Sequence, residues 1–369
     1  MRVGFDARWY NDSGIGTYIA ELLRAMVPLL NGVELVVYEN PKNPLPLPAG
    51  AGLLRKPVRA SRYSLAEQFE LAHCCRRDRL SVFHSPFYIV PVAAACPVVV
   101  TIHDLIPFCF PIYSWPKQSL VKLGYRAGLA KAARIISVSE NTAQDLRAIL
   151  HVPGERITSV HNGVRGNVFH TEPRDAAEEI NYLASKYGVT PPYVVAASTQ
   201  NWRTKNLKGA LAALENALHL GGTKFQTVVF GPDNGLNASG GTARRKEIRM
   251  LAIGRVEHED LATLFRHAHL FIMPSLYEGF GLLLLEAMAC GCAVITSNAG
   301  SLAEVAGPGA QVFSPWDIDG MAAAIAELFA SPEKLEYWRR AALQRATEFS
   351  WERAAQETLE VYHRVVCAG

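Results

Sequence analysis

The 369-residue chain is 49% hydrophobic and carries 37 Lys and Arg against 34 Asp and Glu, a formal net charge of +3. That length exceeds what one core organises, so two domains are expected, and the near-neutral balance argues against nucleic acid as a partner. Seven cysteines, an odd number at irregular spacing, argue against a disulfide framework and for a reducing compartment. Cys74-Cys75 and Cys290-x-Cys292 lack the spaced pairs of a zinc site and read as small core residues. Arg2, Asp6 and Arg8 interrupt the opening segment, against a secretion signal, and no apolar run reaches the roughly 20 residues that span a bilayer.

Residues 2–6 read as a buried parallel strand leading into Asn11-Asp12-Ser13-Gly14-Ile15-Gly16-Thr17 and then a helix to about Pro28. Glycines after a first strand suggest a phosphate cradle. The dinucleotide fingerprint fits poorly, because Ile19 stands where its third glycine belongs. Residues 33–38 are a second strand, and residues 41–48, with four prolines, a loop. Arg55, Lys56, Arg59 and Arg62, followed by Arg76, Arg77 and Arg79, flank a helix expected over residues 64–75. Such a basic cluster is a solvated face, or a contact for a phosphorylated acceptor or anionic lipid heads. Residues 81–84 and the β-branched residues 97–102 are strands, the second ending in His103-Asp104. A histidine there occupies the carboxyl end of a strand, where open α/β sheets bind ligands, or is simply a packed residue. Phe108, Phe110, Tyr113 and Trp115, with Lys117 and Lys122, fill a core, line an acceptor site or rest on a membrane. A strand over residues 134–138 meets Ser139, which offers N-cap chemistry, and residues 157–160 lead to His161-Asn162-Gly163-Val164. Residues 165–190 are polar and weakly periodic and are expected to be the linker.

A second strand series opens at residues 193–197. Arg203 and Lys205 lie in the loop before a helix over residues 207–218, and cations at a strand end suit a diphosphate. Residues 226–231 are a strand, residues 235–241 a mobile loop by composition, and Ile253-Gly254-Arg255-Val256 precedes a helix over residues 261–267. Residues 270–273 form a strand, followed by Pro274-Ser275-Leu276-Tyr277-Glu278-Gly279-Phe280-Gly281, a helix that stops at Gly291, and a further strand over residues 292–296. Gly279 and Gly281 permit close approach of a ligand where helix amides cluster. Glu278 precedes that helix and Glu286 lies two turns into it, roughly 12 Å away at 1.5 Å per residue. A sugar nucleotide has this layout: a sugar diol, a diphosphate and a ribose diol. Taken singly, each glutamate is a helix-start or surface residue; with Gly-Phe-Gly between them they favour a ligand site. Asp317-Ile318-Asp319 reads as the acidic start of a helix over residues 321–329 rather than a metal site. Ser350-Trp351 begins an amphipathic helix to Val366.

Glu278-Gly-Phe-Gly, Glu286-Ala-Met-Ala and Gly291 resemble the donor-site signature of the retaining glycosyltransferases of family 4, the group 1 sugar transferases. Leu283 departs from it, since many members have proline there. The resemblance spans nearly the whole chain, most closely over residues 252–315. It implies an α/β GT-B fold, two Rossmann-like domains facing across a cleft: an acceptor-binding domain over residues 1–170, a donor-binding domain over residues 190–348, and a helix over residues 349–369 that crosses back to the first. It implies transfer of a hexose, mannose by overall likeness, from a GDP- or UDP-linked sugar to a hydroxyl, with retention of configuration and without metal or other cofactor. Lys205, Arg203 and the amides of Gly279, Phe280, Gly281 and Leu282 would meet the diphosphate. Glu278 would orient the sugar, Glu286 would bind the ribose, and His103 would lie beside the reacting sugar. Val256 would meet the base, and Gly14 and Gly16 the phosphates and acceptor. Arg203 stands one residue away from the family's arginine. The expected partners are the nucleotide sugar, a saccharide or lipid-linked acceptor and, through the N-terminal domain, the inner face of a membrane; the expected compartment is the cytoplasm. A nucleotide-sugar epimerase and a non-catalytic sugar-nucleotide binder are the alternatives.

Overall fold

Short β-branched runs alternating with amphipathic segments fold as buried parallel strands joined by helices. The structure, a computed structural model, describes residues 1–173, 175–198, 202–221, 224–232 and 249–368. The chain forms two compact units, Met1–Gly163 with Ser350–Gly369, and Val164–Phe349.

The first unit contains β1 (Arg2–Asp6), α1 (Ser13–Met26), β2 (Glu34–Glu39), β3 (Leu53–Pro57), α2 (Leu65–Arg77), β4 (Val82–Ser85), β5 (Val98–Ile102), α3 (Ile106–Cys109), α4 (Trp115–Lys131), β6 (Arg134–Ser137), α5 (Glu140–Leu150) and β7 (Ile157–Ser159). Its sheet is parallel throughout, in the order β3-β2-β1-β4-β5-β6-β7. The central strands are wholly buried, as unalternating apolar runs require. The basic segment holds an unforeseen edge strand, β3, whose cations are largely committed to this unit's own acids. Arg55 pairs with Glu39 at 2.7 Å, Lys56 with Asp78 at 2.6 Å, Arg77 with Asp78 at 2.8 Å and Arg62 with Asp12 at 2.7 Å.

The second unit contains α6 (Ala176–Tyr187), β8 (Tyr193–Ala197), α7 (Trp202–Lys205), α8 (Leu207–Gly221), β9 (Gln226–Phe230), β10 (Arg249–Gly254), α9 (His258–His267), β11 (Leu270–Met273), α10 (Leu282–Ala289), β12 (Ala293–Ser297), α11 (Leu302–Ala306), β13 (Gln311–Phe313), α12 (Ile318–Ala330) and α13 (Pro332–Ala346). Its parallel sheet runs β10-β9-β8-β11-β12-β13. The stretch expected to be a linker therefore contains a helix that belongs to this unit. Asp175 caps α6 by accepting from the amides of Ala177 and Glu178 at 2.8 and 3.0 Å. Glu179 then docks α6 on α9 through Arg266 and His267, at 2.8 and 2.7 Å. Asp317 caps α12 by accepting from Gly320 N at 2.9 Å, the helix-start role its sequence suggested. The loop assigned to residues 235–241 lies outside the described residues.

The chain returns to the first unit as α14 (Trp351–Cys367), capped by Ser350, which accepts from Arg353 N at 3.1 Å. A buried polar chain fixes it there. Tyr362 OH lies 2.5 Å from His84 Nδ1, His84 Nε2 lies 2.8 Å from Thr101 Oγ1, and Thr101 Oγ1 lies 2.8 Å from Tyr18 OH. Burial holds the Tyr362 phenol protonated and pushes His84 down to about 3, so Tyr362 donates to Nδ1 and His84 Nε2–H donates to Thr101.

Tyr362→Phe removes the donor to a wholly buried imidazole and is expected to cost about 1–3 kcal/mol, read as a lower melting temperature. The unfolded chain protonates its histidine near 6.5 and the folded one only near 3, so acidification through that window destabilises the protein. Melting temperature should fall from pH 7 to pH 5, and His84→Gln should flatten that slope; an equal slope in both would remove His84 from the acid sensitivity.

Candidate functional site

In the second sheet the strand order reverses between β8 and β11, which leaves a crevice at their carboxyl ends. The segments leaving these two strands are tied together, with Leu276 N donating to the Thr204 carbonyl at 2.6 Å. Lys205, at the end of α7, then meets Glu278 with Nζ 2.6 Å from Oε1, and both side chains are mostly buried, 13% and 14% exposed. Asn206 turns the chain into α8 in a left-handed conformation (φ 51°), its amide donating to Pro315 O at 2.8 Å and its carbonyl accepting from Gly209 N at 3.3 Å.

Glu278 is held by its backbone as well. Its carbonyl accepts from both the amide and the hydroxyl of Ser301, each at 3.1 Å. Gly300 packs so closely beneath it that a Cβ would lie 2.5 Å from Glu278 O and 2.7 Å from Glu278 N, and its φ of +61° disfavours any side chain. Gly279 and Phe280 follow, both buried, with the Phe280 ring edge-on to Phe349 at 5.9 Å. Phe280 therefore turns its side chain into the core and offers a ligand only its backbone. Gly281, at φ 95°, is the N-cap of α10 and supplies no capping side chain, so the first-turn amides from Leu282 onward suit an anion.

Glu286 is not the solvated residue its surface-type spacing allows. It is buried, 6% exposed, with Oε1 3.8 Å from Arg165 Nη2. Burial pushes its carboxyl up to about 8, partly countered by Arg165. Arg165 escaped the sequence reading; a lone cation directly behind the Asn162-Gly163-Val164 turn was the available signal. Val256 is half-buried just beyond β10, and the Arg203 side chain lies outside the described residues.

The remaining candidates lie in the first unit. His103 follows β5 with Nε2 2.9 Å from the Pro86 carbonyl, and its ring meets Tyr18 edge-on at 4.8 Å. Burial lowers it to about 4, so it is neutral at physiological pH. A carbonyl only accepts, so Nε2 carries the proton and Nδ1 is left as an acceptor. Gly14 and Gly16 do not form a loop before the helix; they lie within the first turn of α1. The Gly16 amide donates to the Asp12 carbonyl, and a Cβ there would sit 2.0 Å from Tyr10 O. The missing side chain of Gly16 thus makes room for the Tyr10 carbonyl.

Solved structures of the same architecture are glycosyltransferases or related sugar enzymes. The sucrose-phosphate synthase of Thermosynechococcus elongatus superposes with a TM-score of 0.76 at 20% identity, over 100% of both chains. The Anabaena protein HepE, solved in complex with UDP and glucose, gives 0.72 at 16% identity over 98% of this chain and 99% of its own. The two parallel-sheet Rossmann-like units therefore define a GT-B glycosyltransferase fold. The pattern described as "Glycosyl transferases group 1" matches residues 186–345, and that described as "Glycosyltransferase Family 4" matches residues 13–165. The chain belongs to this family of glycosyltransferases. Among curated relatives, the O-antigen chain mannosyltransferase B of Escherichia coli is 28% identical over 376 residues, 96% of each chain.

Gly300→Ala tests the support beneath Glu278. It adds a methyl group against backbone at a positive φ and is expected to cost more than about 1 kcal/mol of stability. Melting temperature should fall, and a fully stable variant would show that the Glu278 loop shifts freely.

Proposed function

We propose that this glycosyltransferase moves a hexose, mannose first among candidates, from a nucleoside-diphosphate sugar to an acceptor hydroxyl in polysaccharide or glycolipid assembly, with retention and without a metal or other cofactor. The observation that carries the reading is the Lys205–Glu278 pair, 2.6 Å apart, beside the uncapped start of α10, with buried Glu286 little more than one turn on. The mannose assignment is supported by the Escherichia coli relative. Lys205, with Arg203, and the amides of Gly279 to Leu282 take the diphosphate; Glu278 accepts from sugar hydroxyls, Glu286 from the ribose, and Val256 and Gly14 flank the nucleotide. The acceptor oxygen bonds to the anomeric carbon as the carbon–phosphate oxygen bond breaks, and the acceptor proton passes to the departing diphosphate. His103, neutral and with Nδ1 as its acceptor, receives a hydrogen bond from a hydroxyl of the sugar.

Incubation with a panel of GDP- and UDP-linked sugars and candidate acceptors should give a glycoside whose anomeric configuration, read by NMR, matches the donor's, at a rate unchanged by excess chelator. Donor turnover without acceptor would favour an epimerase, binding without turnover a non-catalytic protein, and a chelator-sensitive rate restored by magnesium or manganese a metal enzyme. Glu286→Ala should weaken nucleotide binding by roughly 1–3 kcal/mol. Lys205→Ala should weaken diphosphates far more than the nucleoside. His103→Ala should lower turnover at least tenfold, about 1.4 kcal/mol, with donor affinity little changed; a normal rate in a less stable protein would remove it from the chemistry.

The reading also includes an anionic membrane surface as the place where the acceptor is met. Among the described residues no helix is long and apolar enough to cross a bilayer. The support comes from α4, which carries Lys117, Lys122, Arg126 and Lys131 and no acid, and exposes Trp115 (81%), Leu120 (69%) and Leu123 (62%). Tyr63, Leu65 and Phe69, at the start of α2, extend this exposed surface past Tyr113, a neighbour of Tyr63. With much of the basic cluster around β3 paired internally, α4 is the better contact. The protein should sediment with phosphatidylglycerol vesicles and not with phosphatidylcholine alone, and Leu120→Ser with Leu123→Ser should abolish it. Equal sedimentation of that variant would exclude α4.

A further inference from the structure

Resting on the reading of Glu286 as the ribose ligand, we infer that Arg165 is a positioning residue that favours the ionised form of Glu286, so that both of its oxygens accept from the two hydroxyls of a nucleotide ribose. The geometry carries this. A diol donates two hydrogen bonds, and only an ionised carboxyl presents two acceptor oxygens; a protonated one offers an acceptor and a donor. Glu286 is almost wholly enclosed, its side chain 7% exposed, so its ionised form needs a cation nearby. Arg165 supplies it from the segment that opens the second unit, its guanidinium held over the Phe169 ring at 5.3 Å.

The pair is unusual for a buried one. Nη2 stops 3.8 Å from Glu286 Oε1, too far for a hydrogen bond, and the buried Nε and Nη2 have no hydrogen-bond partner among the described residues. A guanidinium whose hydrogen bonds were satisfied by the carboxylate would occupy the oxygens a ribose needs. At this distance Arg165 acts through charge and leaves them to the ligand. Other groups around Glu286 do not compete. The Cys290 thiol, one turn on in α10, is held protonated by burial. Arg266 of α9 is bonded to Glu179, and Arg345 of α13 to the carbonyls of Val305 and Glu304. Among the described residues, the charge felt by its carboxyl is that of Arg165.

Binding of GDP and UDP, measured by calorimetry from pH 6.5 to 9.5, tests this. Burial raises the Glu286 carboxyl to about 8 even with Arg165 present. Removing the cation raises it further, so wild-type affinity falls below about pH 8 and that of Arg165→Met falls from a higher pH. The wild-type to variant affinity ratio should be at least tenfold at pH 7, a midpoint shift of about one unit, and shrink towards pH 9.5. The diphosphate's own titration is common to both proteins and cancels. Arg165→Lys should restore most of the wild-type profile, and adding Arg165→Met to Glu286→Gln should change little. A ratio constant with pH, or a lower melting temperature as the sole effect, overturns the positioning role while leaving the ribose assignment intact. Wild-type affinity at pH 9 in Glu286→Gln overturns the ribose assignment itself. A wild-type profile no steeper than that of Glu286→Gln overturns the inference even if Arg165→Met does not fold.

Discussion

The second unit depends on one topological constraint: a parallel sheet whose strand order reverses must send two neighbouring loops in opposite directions at the reversal. Here those loops follow β8 and β11, and the Leu276–Thr204 backbone bond keeps them in register where they part. Lys205 and Glu278 meet because of it, although 73 residues separate them in the chain. Their ion pair is mostly shielded from water, so each charge offsets the desolvation of the other, and removing one partner costs more than the pair contributes. The clamp of Gly300 and Ser301 on the Glu278 backbone keeps the carboxylate in place.

Strands fully buried on both faces were legible because nothing but apolar and β-branched residues fits them. Residues 193–197 and 270–273 coincide with β8 and β11. Elements with one wet side were not. The strand β3 is Leu-Leu-Arg-Lys-Pro, paired along one edge only, and its charges are satisfied by Glu39 and by Asp78 beyond it. The helix α6 buries Leu183 and little else; its start is specified by the Asp175 cap and its docking by Glu179. The same division applies to the site. The spacing of Glu278 and Glu286 is local and readable, whereas the enclosure of Glu286 and the approach of Arg165 are tertiary. Likewise a strand-end histidine can be read at position 103, but the proton on its Nε2 is set by the Pro86 carbonyl, which only the pairing of β4 with β5 brings near.

The first unit is closed by the last helix of the chain, and the means is polar. Apolar contacts alone would let α14 slide along α1, since such contacts are not directional. The Tyr362–His84–Thr101–Tyr18 chain is directional and wholly buried, so it is satisfied in one register. It also keeps His84, at the end of β4, inside the core with both of its nitrogens engaged.

The two glutamates of the signature show how one short segment holds acids with different work. Glu278 stands before the helix beside a cation at hydrogen-bond distance. Glu286 stands within an apolar helix, where burial favours the neutral form and only the more distant Arg165 opposes it. A carboxyl poised between states contributes little until two donors arrive together, because only then does ionisation repay its desolvation. The contrast between the two glutamates arises from the environment of each residue rather than from the residue type.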